Sequence, residues 1–482
     1  MASTAFSERI ARSTTAARGP VQTDEQGHYA ISNQLLVDER PLAAGKGSLV
    51  GPSEEWLRRR GFEPRRLTSV FGGLQMPGGG DVSIFELTFR SLADDIFSLT
   101  QELRSTLAKE APGLISPNHV LIPASLSDFC PHGPPAPTSL GELRRAWGRP
   151  DLCFPLPPPA AARPVQVTII DAGYQWNPSS VDGEPLWGEN PLGGTFSEME
   201  AEVLTQTENS GGVTSWAWAA GTPDVTPAQW AGEPATFSPD VVSAGDGELV
   251  ALAGHANFVA GVIAIGCPDA QITIRNLNGA FNTRNPYELP TEATITRAIA
   301  QSAGADVVNV SFAGLLHGDT PGSSWALALE RLGPEAVLIA PAGNQQSRLP
   351  HYPAALHSSH PQVVGVASTT PPVSAIPGCS WSDYGRWVTC SCDGTDVRST
   401  FLHIRQRLED AAAPIEYDFS HDSLASWSGT CFASAKVAAH VCEAIVQAMN
   451  AGAPISPLDA CGRVLAGGTP DPTSALGKIL PF

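Results

Sequence analysis

The sequence predicts an α/β protein, a mainly parallel sheet with helices on both faces, preceded by a small α+β unit. Three observations predict it. From Pro164 onward, short apolar runs alternate with helical stretches and carry few polar interruptions, as strands buried on both faces do. From Tyr29 to Pro123, apolar spacing switches between strand and helix periods within a short span. A proline-rich stretch separates the two regions.

Met1 to Pro20 mixes Ser, Thr, Ala and Arg without an apolar run of signal-peptide length, and residues 1–28 read as a flexible tail. In the unit at 29–123, Ala30-Ile31 and Gln34 to Val37 predict a strand, and Glu54 to Arg60 a short basic helix. Phe71 to Phe89 reads as a hairpin around Gly78-Gly79-Gly80, with Val82, Ile84 and Phe85 as its apolar residues. Leu92 to Leu107 has helical spacing, Asp94-Asp95 reads as its solvated face, and Val120-Leu121-Ile122 closes the unit as a strand. Pro131, Pro134, Pro135, Pro137, Pro155, Pro157, Pro158 and Pro159 make 124–163 an extended tether, since proline removes backbone donors.

The body at 164–482 predicts strands at Val165 to Ile170, Ile272 to Ile274, Val307 to Val310, Val337 to Ala340 and Val363 to Val366. Helices are expected from near His255, over Glu292 to Ala303, over Trp325 to Leu332, and from Cys431 to about Met449. The stretch at about 175–247 holds Trp176, Trp187, Trp216, Trp218 and Trp230 without a clean period and reads as a loop insertion on the catalytic side. In such sheets functional groups gather outside the carboxyl ends of the strands.

Composition narrows the function. Of 482 residues, 42% are hydrophobic and 16% charged, which fits a packed enzyme. The net charge of -19 argues against a nucleic-acid partner. No run of about 18 apolar residues predicts a membrane span. The nine cysteines are scattered, and Cys390-x-Cys392 is too short for a zinc half-site. Reduced thiols and a cytoplasmic location are expected. No metal site and no cofactor is expected. Glu198, Glu200 and Glu202 read as a solvated loop, and His317, His351 and His440 as structural or surface residues.

Three segments carry chemistry. Thr168-Ile169-Ile170-Asp171-Ala172-Gly173 is an apolar strand ending in a carboxylate at a glycine turn. Gly254-His255-Ala256-Asn257-Phe258-Val259-Ala260-Gly261 opens a helix of small residues with a histidine. Ser428-Gly429-Thr430-Cys431-Phe432-Ala433 places a nucleophile-capable thiol at the start of a long helix. The positive end of that helix favours thiolate, so a lowered thiol pKa is expected there.

The order Asp, His, nucleophile and the flanking residues resemble the subtilisin-like (subtilase) peptidase family, whose signature blocks these three segments match. Ala340-Pro341-Ala342-Gly343-Asn344 is similar to the family's oxyanion-hole segment, Val308 to Phe312 to its substrate-binding edge, and Ser382-Asp383-Tyr384-Gly385 to its Ser-x-x-Gly turn. The resemblance covers about Pro164 to Gly467. It implies a triad of Asp171, His255 and Cys431, with Asn344 donating to the oxyanion. It also implies that Ser311, Phe312, Ala313, Gly314 and Gly343 bind the backbone and side chain of a peptide or protein substrate.

The strand–helix–hairpin–helix–strand order of 29–123, ending at Ser116-Pro117-Asn118-His119-Val120, resembles the ferredoxin-like inhibitory propeptides of that family. It implies an N-terminal partner whose carboxyl end reaches the active site. Three residues depart from the family pattern: Cys431 for serine, Ala313 for glycine and Ala435 for proline. An endopeptidase with a native cysteine, or with an engineered replacement of serine, is the expected function. The alternative is a pseudoprotease that binds peptides in the groove without cutting them.

Overall fold

The computed structural model describes residues 21–39, 48–74, 84–89, 93, 95–123, 135–154, 163–171, 254–277, 290–369, 381–401, 405–407, 416–419 and 423–482, with strands at 180–181, 184–185, 202–209 and 213–220. The chain begins with strand β1 (Val21–Thr23), which pairs antiparallel with the start of β2 (Tyr29–Asp38). Part of the expected tail is therefore ordered, turned at Gly27, where φ is 86°. Helix α1 (Val50–Arg59), β3 (Pro64–Ser69), β4 (Ile84–Phe89), helix α2 (Ile96–Leu107) and β5 (Ile115–His119) follow.

In this sheet β4 lies between β2 and β3, and β5 pairs with β2, all antiparallel. Side chains alternate across β2: Leu35 and Val37 pack on Trp56, Leu57, Ile96 and Leu103, whereas Leu36 packs on the second unit. Three expectations shift here. The hairpin's first strand is Pro64–Ser69, not the stretch from Phe71, and its glycines lie outside the described residues. The closing strand is Ile115–His119 rather than Val120 to Ile122. Asp95 is a cap: its carboxylate accepts from the Phe97 N–H at 2.9 Å, so the helix starts at Ile96.

Beyond β5 come β6 (Ile122–Pro123) and β7 (Ala136–Pro137), and then helix α3 (Leu140–Trp147) within the expected tether. Ser139 and Glu142 form a capping box that starts α3, and Gly148 in the left-handed region ends it. Buried Leu143 and Leu152 join the main core, and β7 pairs with a core strand. Proline clusters on both sides hid this helix. Pro131, Pro134 and Pro155 to Pro159, apart from Pro135 and Pro137, lie outside the described residues.

The second unit runs through β8 (Val165–Asp171), the strand pair β9 (Glu202–Asn209) and β10 (Val213–Ala220), helix α4 (His255–Gly266), β11 (Ala270–Asn276) and α5 (Glu292–Gln301). It continues with β12 (Val307–Val310), β13 (Phe312–Ala313), α6 (Ser323–Leu332), β14 (Val337–Pro341), β15 (Val363–Thr369), β16 (Cys390–Asp393), β17 (Val397–Thr400) and β18 (Leu424–Trp427). Helices α7 (Thr430–Asn450) and α8 (Pro457–Ala466), then β19 (Thr469–Pro470) and β20 (Lys478–Ile479), close it. The central sheet has the order β11-β8-β12-β14-β15-β16-β20-β19, parallel throughout except for β19.

Alternation decides which helix covers which face. Val167, Ile169, Val307, Val337 and Ile339 pack with α4 and α7; Val308, Val310, Leu338 and Ala340 pack with α5 and α6. Helix α4 approaches β17 so closely that a Cβ on Gly261 would lie 2.1 Å from Thr400 Oγ1, which glycine alone avoids. The insertion read as aperiodic contains β9 and β10, paired antiparallel from Glu202↔Ala220 to Asn209↔Val213. Glu198, Glu200, Trp176, Trp187 and Trp230 lie outside the described residues. Among the described residues no helix is long and apolar enough to cross a membrane.

Candidate active site

The expected site residues come from elements distant in sequence and meet beyond the carboxyl ends of β8, β12 and β14. Asp171 is the last residue of β8 and His255 the first of α4, and both are buried. His255 Nδ1 lies 2.8 Å from Asp171 Oδ1 and 2.9 Å from Oδ2. A proton on Nδ1 serves that bond and leaves Nε2 with the lone pair. Nε2 is buried and has no hydrogen-bond partner among the described residues. Trp427 stands edge-on to the ring at 5.5 Å and Phe432 packs beside it at 5.4 Å, which fixes its plane and excludes water.

Cys431 occupies the first turn of α7, where backbone N–H groups have no intrahelical acceptor. Its thiol is buried and donates to the Ser311 carbonyl at 3.6 Å.

Asn344 follows β14 and is oriented by a residue that sequence reasoning left as a mere flank. Its Oδ1 accepts from the Thr430 N–H at 3.0 Å and from Thr430 Oγ1 at 2.9 Å. Thr430 Oγ1 also accepts from the Gly343 N–H at 3.2 Å. With Oδ1 so engaged, the amide Nδ2 faces Gly429, 3.6 Å from where a Cβ there would stand. Thr430 stood in the Gly-Thr-nucleophile block, so its position was visible and its work was not.

The edge formed by Ser311 to Gly314 carries the chain's own segment. β6 pairs antiparallel with β13 through Phe312↔Pro123 and Ala313↔Ile122. At Gly314 a Cβ would come within 3.1 Å of Leu121 Cγ, a tight contact that a larger residue would meet only if Leu121 shifted. Gly314 also exchanges backbone hydrogen bonds with Tyr352, at 3.1 and 2.8 Å.

Sequence comparison agrees with this arrangement. The model of the subtilase family of peptidases (Peptidase_S8) matches residues 192–456, more than half of the chain. The chain belongs to the subtilase family. That match includes His255, Asn344 and Cys431 and starts after Asp171. No curated protein matches the chain. Among solved structures, a mutant of the protease domain of PatA has a TM-score of 0.43 at 15% identity, covering 67% of this chain and 94% of its own. A lanthipeptide protease has a TM-score of 0.43 at 17% identity, covering 66% of this chain and 85% of its own. A cold-adapted subtilisin-like serine proteinase has a TM-score of 0.40 at 17% identity, with 66% and 88% covered.

Beside Gly343 and Asn344 this subtilase buries an acid. Asp383, from the Ser-x-x-Gly turn, accepts from the backbone N–H groups of Gln345 at 2.9 Å and Ser347 at 2.6 Å. Its Oδ2 lies 3.3 Å from His351 Nδ1. Burial pushes the Asp383 carboxyl above its ordinary value; His351 and the two N–H donors oppose that without cancelling it. A Cβ on Gly343 would sit 2.1 Å from Oδ2, and Gly343 has φ 116°, so both space and backbone require glycine next to Asn344. His351 therefore has a local partner at the site, although its sequence context gave no sign of one.

Further thiols are buried among the described residues. Burial raises Cys267 and Cys461 to about 12 and Cys390 and Cys442 well above the ordinary thiol value. They serve as small apolar side chains in the core.

Proposed function

We propose that this subtilase is an endopeptidase that uses Asp171, His255 and Cys431, with its N-terminal unit held in the substrate groove as an inhibitor. The observation that carries this reading is the Asp171–His255 bond at 2.8 Å beside the start of α7. His255 Nε2 takes the thiol proton as Sγ attacks the substrate carbonyl carbon. Asn344 Nδ2 and the Cys431 N–H hold the oxyanion. His255 then gives its proton to the leaving amine, and water, deprotonated by the same nitrogen, hydrolyses the thioester. Asp171 keeps Nδ1 protonated and stabilises the imidazolium throughout.

The edge at Phe312–Ala313 fits an extended peptide by strand addition, and β6 supports that use by pairing with it. The topology of the N-terminal sheet, with β5 and β4 flanking β2, supports the ferredoxin-like propeptide reading.

A second reading has one observation in its favour. The thiol rests on Ser311 O and His255 Nε2 has no partner, as a binding groove without turnover would allow. Cys431→Ser distinguishes the two. Peptidase activity that appears or rises in the serine chain, and disappears on adding His255→Ala, supports the endopeptidase. A folded serine chain, released from its N-terminal unit and silent toward a broad peptide library, supports the pseudoprotease.

A further inference from the structure

The geometry points to a divalent metal site of the zinc type, built from Asp24, His28 and His317, that straps the N-terminal unit to the catalytic unit. Asp24 and His28 lie in the turn between β1 and β2, whereas His317 lies in the loop after β13, close to the substrate edge. One donor atom from each lies within 4.8 Å of the other two. The two units supply two ligands and one ligand respectively, so an ion held here would bridge them.

Four features prepare these groups for a cation. The Asp24 carboxylate is oriented by its own turn, because Oδ1 accepts from the backbone N–H groups of Gln26 at 2.9 Å and His28 at 3.0 Å. Oδ2 then points at both imidazoles, 2.6 Å from His28 Nδ1 and 3.5 Å from His317 Nδ1. His317 Nδ1 is buried and, among the described residues, has Asp24 at 3.5 Å as its near polar neighbour but no well-formed hydrogen bond, a shortfall that a metal bond would satisfy. The rings are also fixed: His317 lies against Phe97 at 5.0 Å and edge-on to His28 at 5.4 Å.

The donor set of two imidazoles and one carboxylate suits zinc better than calcium or magnesium, which prefer oxygen. Zinc bonds of about 2.0–2.2 Å set tetrahedral ligands roughly 3.3 Å apart. Asp24 and His317 already stand at that separation. Asp24 and His28 share a proton at 2.6 Å; the ion replaces it, the proton moves to Nε2 or to solvent, and the two groups part slightly. A water completes four ligands on the open side, since the Asp24 and His317 side chains are 22% and 25% exposed.

The strap's consequence for inhibition rests on the proposed role of the N-terminal unit, but binding itself does not. Zinc titration of the full chain by calorimetry, with calcium and magnesium as comparisons, tests the site without any peptidase assay. The expected result is one zinc per chain and little response to the harder ions. His317→Ala and, separately, Asp24→Asn should weaken zinc binding at least 10–100-fold, the loss that even an outer-shell partner causes. His440→Ala, at a histidine remote from the cluster, should leave it unchanged. Hydrogen exchange of the Leu121 amide, which bonds to Pro290 across the two units, should slow on adding zinc. Zinc that binds the His317 and Asp24 variants as tightly as the parent is held elsewhere and overturns the proposal, as does a parent chain that binds none. Circular dichroism of each variant separates lost binding from lost fold.

Discussion

The catalytic unit and the N-terminal unit are both built on sheets, yet they place their polar groups in opposite ways. In the catalytic sheet both faces are apolar, and the functional groups sit where strands end and helices begin, at Asp171, His255, Asn344 and Cys431. In the N-terminal unit one face packs on its own helices, and the other joins Leu36, Val70, Phe71 and Ile84 to Ile295, Ala298, Ile299 and Leu316 of its neighbour. That apolar contact is ringed by polar links. Asn118 accepts from the Ala293 N–H at the start of α5, and His119 pairs with Glu292 at 2.7 Å. The His317 N–H bonds to His119 Nε2, and Arg297 donates to Val70 O. The parallel core fixes its constellation at strand ends, whereas the contact between the units combines an apolar patch with buried polar pairs.

The largest effect should come from the fixed half. In an active serine chain, Asn344→Ala should lower turnover by about 10²–10³-fold with little change in KM, because the amide acts on charge that exists in the transition state. Steady-state kinetics measures it, and an unchanged kcat would remove Asn344 from the oxyanion site. Thr430→Val should cost less, since the Thr430 N–H still holds Oδ1.

At the contact between the units, His119→Phe leaves the Glu292 carboxylate buried with Ser324, at 2.6 Å, as its remaining side-chain donor among the described residues. Leaving a buried carboxylate short of a hydrogen-bond donor costs about 3 kcal/mol. Exchange of the Leu121 amide should then quicken about 10²-fold if it opens with the interface. Unchanged protection would place the hold in the apolar patch instead.

The smallest effect lies far from both, at His440, whose ring stacks on Phe482 at 3.5 Å. Burial, then Lys436, lowers His440 to about 4. Between pH 6.5 and 4 the unfolded chain therefore binds a proton that the folded chain refuses. Stability from this group is complete above 6.5 and lost as the pH falls toward 4. His440→Gln should flatten that part of a plot of Tm against pH, and a Tm that falls with acid just as steeply in the variant would refute the assignment.

The catalytic half was the more legible from sequence, for a physical reason. Strands buried on both faces leave unbroken apolar runs such as Val165 to Ile170, and the residues that end them stand out. Asp171, His255, Asn344 and Cys431 therefore lie in the structure near where the sequence suggested. The interface was not legible, because Asn118 and Ala293, or His119 and His317, are far apart in the chain and each alone is an ordinary polar residue. Helix α3 escaped for another reason: the prolines were loud and the Ser139–Glu142 capping box was quiet. Asp95 was misread because a cap and a solvated carboxylate look alike until the neighbouring N–H is placed.

The central claim is that the N-terminal unit lies in the groove of a working Asp171–His255–residue 431 site. β6 runs antiparallel to β13, with Pro123 opposite Phe312. β6 ends at Pro123, opposite the residue that follows Ser311, whose carbonyl the Cys431 thiol touches. β7 is already tied to Ala425 and Ser426 of the core, so self-cleavage should fall between residues 124 and 134, at or just after Ala124. Sulfur in place of oxygen should slow it, since displacement of the attacking atom by about 1 Å can cost 10²-fold. Intact-mass measurement of the purified Cys431→Ser and parent chains tests this most directly. The account predicts two fragments divided within that span for serine and a whole chain for cysteine. A serine chain that stays at full length with an active core, or a cysteine chain that arrives fully cut, would contradict it.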